Sequence, residues 1–287
     1  AYLSEIANPD IAAIINIGTM HIEHLGSVNG IRKAKLEILE GMEADGKLVL
    51  NGRDPMLRQL PEAICQEVTY FGEDAPLCAV LVSNIQDGEG NLRFDVTAGE
   101  RQFSIEMALE GLHFVPDAMT AITIGLMLEV PVEKIQENLA IFHNMAGRQD
   151  IYEKNGFTII SDCYNAGPES MAAALKVLGK KQGRRIAVLG DMLELGDCAW
   201  AEHYKIGRIA KENADLVFTY GPNGNRVVGG AITGGMKETD ARDFATREDL
   251  AAHLKRTAKP GDTILFKGSR GMHMELVLEQ FLGKEKE

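Results

Sequence analysis

Apolar positions fall into different patterns in the two halves of the chain. In the first half, Ile11–Ile17 is a short continuous apolar run ending at Gly18, the mark of a buried strand. From Ser27 to Met42 the spacing turns helical. Ile31, Ala34, Ile38 and Leu39 share a face, Lys35 falls on that same face, and Ser27 stands where a helix cap belongs. Lys47–Asn51 reads as a second strand, closed by Gly52. Then the pattern changes. Ala63–Phe71, Cys78–Gln86, Leu92–Ala98 and Arg101–Met107 read as strands, parted by turns such as Asp87-Gly88-Glu89-Gly90. Helices over Pro116–Glu129 and Val132–Phe142 close this half.

The second half alternates regularly. Strands are predicted at Phe157–Ser161, Arg185–Leu189, Leu216–Tyr220, Asp243–Phe244 and Thr263–Phe266. Each leads to a helix: Pro168–Leu178, Ala199–Glu212, Gly224–Gly234, Thr246–Thr257 and Met272–Phe281. Such a βα repeat implies a mostly parallel, Rossmann-like sheet with helices on both faces, binding ligands at the carboxyl ends of its strands. The boundary is expected near Asn144–Gly147, where Ala146 and Gly147 suit a hinge. That gives an α/β protein of two domains, residues 1–145 and 146–287. The charged tail Lys284–Glu287 reads as frayed.

Composition narrows the classes. With 45% hydrophobic and 25% charged residues among 287, the chain is globular. A net charge of −12 argues against non-specific binding to nucleic acid or anionic membrane, yet leaves room for a local basic pocket. No apolar run approaches the ~18–20 residues that span a bilayer. Cys65, Cys78, Cys163 and Cys198 stand singly, as expected of a reducing, cytoplasmic setting. The chain opens at Ala1 without Met and without a signal peptide, and reads as a piece of a longer protein.

Five segments and the separate Arg148 could carry chemistry. His21, Glu23 and His24 follow a buried strand and could hold a divalent ion, or could simply be solvated in a surface loop. Lys35, set on an apolar face, is either paired or modified there, or snorkels its amine to water. In the second half, polar turns follow three strands: Ser161–Pro168, Leu189–Gly196 and Phe266–Gly271. Asp162 at a strand end suits a ribose, and the helix start beyond it suits an anion, although an Asp/Asn capping turn accounts for the pattern too. Lys267, Ser269 and Arg270 in a glycine-rich turn could grip a carboxylate or phosphate. Arg148, at the junction, could reach a phosphate or form a surface ion pair. There is no GxxxxGK[ST], GxSxG, HExxH or CxxC, and no strand leads into GxGxxG. Those absences exclude a P-loop within this chain and a dinucleotide-dependent oxidoreductase.

Four segments in order, Asn16–Glu37 (NIGTMHIEHLGSVNGIRKAKLE), Asp162–Pro168 (DCYNAGP), Ala187–Gly196 (AVLGDMLELG) and Lys267–Glu275 (KGSRGMHME), resemble the Mur ligase family over nearly the whole chain. AVLGDMLELG and KGSRGM resemble the branch that joins D-alanyl-D-alanine to UDP-N-acetylmuramoyl-tripeptide in peptidoglycan precursor synthesis. The resemblance implies the C-terminal part of a central ATP-binding domain without its P-loop portion, followed by the Rossmann-like domain that takes the incoming dipeptide. It implies ATP and Mg²⁺ as cofactors and an acyl phosphate on the way to the amide, with the piece inactive by itself. His21 matches a Mg²⁺ ligand and Lys35 a carbamylated, metal-binding lysine. Arg148 matches the arginine that reaches the ATP γ-phosphate, Asp162 the ribose-binding aspartate, and Asn165 a further nucleotide-side residue. Asp191, Lys267 and Ser269 match loops on the substrate side. Two departures stand out. The family's HNxxN is His113-Phe114-Val-Pro-Asp117 here, and its YNANP is Tyr164-Asn-Ala-Gly167-Pro168. The alternative is therefore a divergent Mur-ligase-like domain with a binding or scaffold role and no ligase activity.

Overall fold

The computed structural model describes residues 1–60 and 64–283. It divides into two compact units, Ala1–Gly18 with His24–His143, and Thr19–Glu23 with Asn144–Glu287.

In chain order the first stretch forms α1 (Tyr2–Ala7), β1 (Ile11–Ile14), α2 (Ile22–Leu25), α3 (Val28–Leu36) and β2 (Lys47–Asn51). It continues with β3 (Glu67–Gly72), β4 (Val80–Gly88), β5 (Asn91–Ala98), β6 (Arg101–Met107), α4 (Phe114–Met127) and α5 (Val132–Ala140). The sheet runs β1-β2-β3-β4-β5-β6, parallel as far as β4 and antiparallel beyond it. Phe71, Phe94, Ile105, Met119 and Ile122 fill its core, so α4 closes one face of the sheet. The strand expected from Ala63 begins at Glu67; residues 61–63 lie outside the described ones.

The helix expected over Ser27–Met42 is shorter than its periodicity suggests. Ser27 does cap it, its hydroxyl accepting from the Gly30 N–H at 3.0 Å. The α-helix ends at Leu36 and tightens into a 3₁₀ turn, Glu37–Gly41. Two contacts with α1 stop it. The Ser4 hydroxyl donates to the Glu37 carbonyl at 2.8 Å, and Gly41 lies so close that a Cβ there would stand 2.0 Å from the Ser4 carbonyl oxygen.

The second unit contains β7 (Asp150–Lys154), β8 (Phe157–Asp162), α6 (Pro168–Lys180), β9 (Arg185–Gly190), α7 (Ala199–Asn213), β10 (Leu216–Tyr220) and α8 (Gly224–Thr233). It ends with β11 (Ala241–Phe244), α9 (Arg247–Thr257), β12 (Thr263–Lys267) and α10 (Met274–Leu282). The sheet order is β11-β10-β9-β12-β8-β7, parallel except for β7. One core lies under α6, α7 and α8 and another under α9 and α10, so helices cover both faces. Asn155-Gly156 turns the β7–β8 hairpin with both residues at positive φ, +54° and +79°, the conformation such a two-residue turn needs.

The last strand, β12, inserts between β8 and β9, where the strand order reverses. The loops after β8, β9 and β12 thus open side by side at one end of the sheet. Lys267 stands level with Asp162 on one neighbour and Leu189 on the other. No helix among the described residues is long and apolar enough to cross a membrane.

Candidate functional site

The site of the second unit is built from those adjacent loops. At its base Lys267, 2% exposed, donates to the Asp162 carboxylate at 2.6 Å and to the Asn165 carbonyl at 3.0 Å. The buried ammonium is therefore neutralised by one carboxylate oxygen. The Asp162 side chain itself is 14% exposed. Ser269, also buried, ties three loops together. Its hydroxyl donates to the Ala166 carbonyl at 3.0 Å and accepts from the Leu193 N–H at 2.9 Å, while its N–H donates to the Asp191 carbonyl at 3.0 Å.

Asp191, 1% exposed, is held by Asn223, whose backbone N–H and side-chain amide donate to it at 3.0 and 2.9 Å. Gly221, at φ +132°, makes room: a Cβ there would sit 2.4 Å from the Asp191 carboxylate. His203 on α7 pins the next residue. Its Nε2 accepts from the Met192 N–H at 3.0 Å and its Nδ1 faces the Ala199 carbonyl at 2.7 Å. Since one nitrogen accepts from an N–H and the other meets a carbonyl, the ring is neutral with its proton on Nδ1. The sequence reading expects Asp191, Lys267 and Ser269 to line the cleft. The structure buries all three side chains and bonds them to the loops they stiffen, with Ser269 still bordering the cavity.

Above this base lies a small cavity of about 100 Å³, bordered by Asn165, Gly167, Leu193, Ser269, Gly271 and Arg270, with Met20, His21 and Glu194 closing it. Met20 fills the place that a larger residue at position 167 would take, since a Cβ on Gly167 would come 2.6 Å from Met20 Cγ. His21 Nδ1 is paired with the Glu194 carboxylate. A carboxylate only accepts, so Nδ1 carries a proton toward Glu194. Thr19 donates through its N–H and its hydroxyl to Glu169, at 3.1 and 3.0 Å.

At the start of this unit the exposed Arg148 guanidinium stacks over the Tyr164 ring, 4.0 Å from its centroid. The Tyr164 N–H donates to the Gly147 carbonyl at 3.0 Å, tying Tyr164 to the residue before Arg148. Burial pushes the neighbouring Cys163 thiol up to about 12, so it is no nucleophile near neutral pH.

In the first unit Lys35 takes the solvent-facing alternative of the sequence reading. It is exposed rather than set on the apolar face, and its amine donates to the Asn16 carbonyl at 2.6 Å. The early end of α3 explains the difference, since Ile38 and Leu39, which completed the apolar stripe, lie in the 3₁₀ turn. Phe114 begins α4 with its ring 4.2 Å from that of His113.

Comparison with known proteins gives this geometry its context. Residues 1–125 match the Mur ligase middle domain, and residues 147–270 match the Mur ligase glutamate ligase domain. This chain belongs to the Mur ligase family. It is 37% identical to a UDP-N-acetylmuramoyl-tripeptide–D-alanyl-D-alanine ligase of Bacillus subtilis, over 98% of this chain and 61% of that protein. A Synechocystis protein of the same name is 32% identical, over 99% and 60%. A MurF crystal structure from Acinetobacter baumannii superposes with a TM-score of 0.88 at 30% identity, covering 98% of this chain and 61% of the other. A Thermotoga maritima MurF in complex with ADP superposes with a TM-score of 0.84 at 26% identity, covering 98% and 63%. The chain thus spans about three fifths of the length of these Mur ligases.

The sequence reading overlooked His203, Asn223 and Met20. His203 is a lone histidine on a helix, with nothing in its spacing to set it apart. Asn223, in Gly-Pro-Asn-Gly, reads as turn chemistry, and that turn is what aims its amide at Asp191. Met20 could be found only by pairing it with the missing side chain at Gly167.

Proposed function

We propose that this chain works within an ATP-dependent amide ligase of the cytoplasm, which joins D-alanyl-D-alanine to UDP-N-acetylmuramoyl-tripeptide. The observation that carries the reading is the Asp162–Lys267 bridge at the switch point of a Mur ligase sheet. It fixes a largely buried carboxylate, 14% exposed, where a ribose hydroxyl can donate. In the reaction, a carboxylate oxygen of the tripeptide attacks the γ-phosphorus of ATP and ADP leaves. The dipeptide amine then attacks the acyl carbon, phosphate leaves, and the amine gives up a proton. Arg148 supplies charge to the phosphate, with Tyr164 holding its guanidinium flat. Asn165 belongs to the nucleotide side. Asp191, Lys267 and Ser269 act on the dipeptide side by holding the loops rather than by touching substrate.

Mg²⁺, when bound, spreads the negative charge of the phosphates. Among the described residues no group of three or more His, Cys, Asp or Glu gathers as a cation site. The individual donors nonetheless fit. The His21 proton sits on the nitrogen facing Glu194, which is the arrangement of a metal-ligating histidine. Lys35 is exposed, open to carbamylation, and anchored through Asn16. By the family resemblance His21 of the second unit and Lys35 of the first are each, separately, proposed as Mg²⁺ ligands.

The test is turnover by the full-length enzyme. Phosphate release from ATP should require both peptide substrates and yield the pentapeptide-bearing nucleotide by mass. Absence of turnover with nucleotide or substrate still bound would favour the binding or scaffold reading, which Phe114 in place of an asparagine supports.

A further inference from the structure

The solvent-facing side of α7 and α8 contributes nothing to the cavity of the second unit. Trp200, the one tryptophan of this chain, stands there at the start of α7 and is 52% exposed. Tyr204 follows one turn later, its ring stacked on the indole at 5.3 Å and 8° from parallel. The Arg226 guanidinium of α8 lies over the same indole, 5.9 Å from its centroid. Arg208 and Lys211 extend the stripe along α7, at four- and then three-residue spacing. Those two cations and Arg226 are exposed and have no ion-pair partner among the described residues. Lys205 and Glu202 hold each other beside the stripe at 3.7 Å, and no carboxylate falls on the stripe itself. The buried side of α7 is the opposite one, His203, Ile206, Gly207 and Ala210. Packing therefore does not explain why two aromatic rings and a row of cations stand in water on a chain of net charge −12.

Three features say what this face fits. It is flat rather than grooved. Gly207 and Gly230 draw the two helices close, since a Cβ on either would fall 2.0 Å from a carbonyl oxygen of the other helix, and a Cβ on Gly229 would meet nothing within 4 Å. Its rings are not laid open for stacking. Trp200 gives one face to Tyr204 and has Arg226 over the ring, so a nucleic-acid base finds no free platform. What remains in water is ring edges with polar tips, flanked by long cationic side chains. Tryptophan and tyrosine so placed suit the boundary between headgroups and acyl chains, where lysine and arginine stems lie along the surface and reach phosphates. The 15 residues of α7 span about 22 Å, enough to set its cations over several headgroups. The acidic remainder of the molecule does not forbid the contact, because salt screens exposed charges beyond about 8–10 Å.

We infer that the α7–α8 face rests on the headgroups of an anionic membrane as a peripheral contact. The contact needs no turnover to be seen. The full-length enzyme is mixed with vesicles of phosphatidylcholine alone, and of phosphatidylcholine with about one third phosphatidylglycerol. The difference in emission between the unaltered enzyme and Trp200→Phe isolates this indole. It should shift to the blue with the anionic vesicles and stay in place with the neutral ones. Arg208→Glu and Lys211→Glu should each weaken co-sedimentation with the anionic vesicles roughly 5–30-fold. Their unfolding temperatures should match that of the unaltered enzyme, since both side chains are exposed. Raising salt to about 0.5 M should release the enzyme. No blue shift and no co-sedimentation would overturn the assignment, as would undiminished binding by the two charge-reversed variants. Binding to a single-stranded oligonucleotide or to polyglutamate, with none to vesicles, would also overturn it and give the face to a nucleic acid or an acidic protein.

Discussion

Lys267 shows how a residue type can be legible while its role is not. A lysine and a serine in a glycine-rich turn at a strand end look, in sequence, like a grip for an anion. Register decides otherwise. Lys267 is the last residue of a central strand, level with Asp162, and its amine is drawn down to that carboxylate. Lys267→Met should therefore destabilise the second unit by on the order of 3 kcal/mol, because it strands a largely buried carboxylate. Urea unfolding checks this; a loss below about 1 kcal/mol would mean that Asp162 is adequately solvated without its partner. Lys35 is the reverse case, a lysine whose place on the apolar stripe was misread, because a helical wheel cannot know that Ser4 will end the helix. A third residue-scale effect is pH dependence. His253 on α9 packs against the rings of Phe218 and Phe244, 4.9 and 5.0 Å away. Burial, helped by Arg242 and Arg256, holds its pKa below the usual 6.5. As pH falls below 6.5, the unfolded chain takes up this proton before the folded one, so stability falls until the lowered folded value is passed. His253→Phe should flatten that part of the acid-unfolding curve; an unaltered slope between pH 6.5 and 5 would reject the assignment.

At the scale of elements, boundaries were legible where a cap or a breaker marks them. Thr246 caps α9 and Pro168 opens α6, each beside the start that the pattern predicts. The β7 strand was not recovered from hydrophobic pattern. Asp-Ile-Tyr-Glu-Lys mixes polar and apolar positions as an edge strand does, and only the Asn155-Gly156 turn betrays it. Glycines within helices were similarly opaque. A glycine in a helix interior ordinarily weakens it by roughly 0.5–1 kcal/mol relative to alanine. In α7 and α8 the cause is close packing. A Cβ on Gly207 would sit 2.0 Å from the Val227 carbonyl oxygen, and one on Gly230 at 2.0 Å from that of Tyr204. The adjacent Gly229 meets nothing within 4 Å. Gly207→Ala should cost about 1–3 kcal/mol by forcing the helices apart, whereas Gly229→Ala should gain about 0.5–1 kcal/mol. Thermal unfolding of the pair is the measurement, and equal effects at the two positions would show that helix propensity rather than packing governs both.

At the scale of the whole molecule, the parallel βα half was written plainly in alternation. What could not be read is that five residues from the first half, Thr19–Glu23, belong with the second unit. No local pattern announces such a contact, because its partners, Glu169, Glu194 and Gly167, lie some 150 residues further along. The two cores of the second unit draw all their fully buried members from beyond residue 150. A chain of residues 144–287 alone should consequently fold and unfold cooperatively, though less stably for want of the bonds to Glu169 and Glu194. Gly167 reports on the docked segment. Its φ of −138° suits any residue, so only space limits what can stand there. In the complete chain Gly167→Ala drives a methyl into Met20 and should cost about 1–3 kcal/mol. In residues 144–287, where Met20 is missing, the same change should be neutral to within about 0.5 kcal/mol. Met20→Ala in the complete chain should also relieve it. An equal penalty for Gly167→Ala in all three backgrounds would mean that the glycine answers to its own loop, and that Met20 does not occupy the space a side chain at position 167 would need.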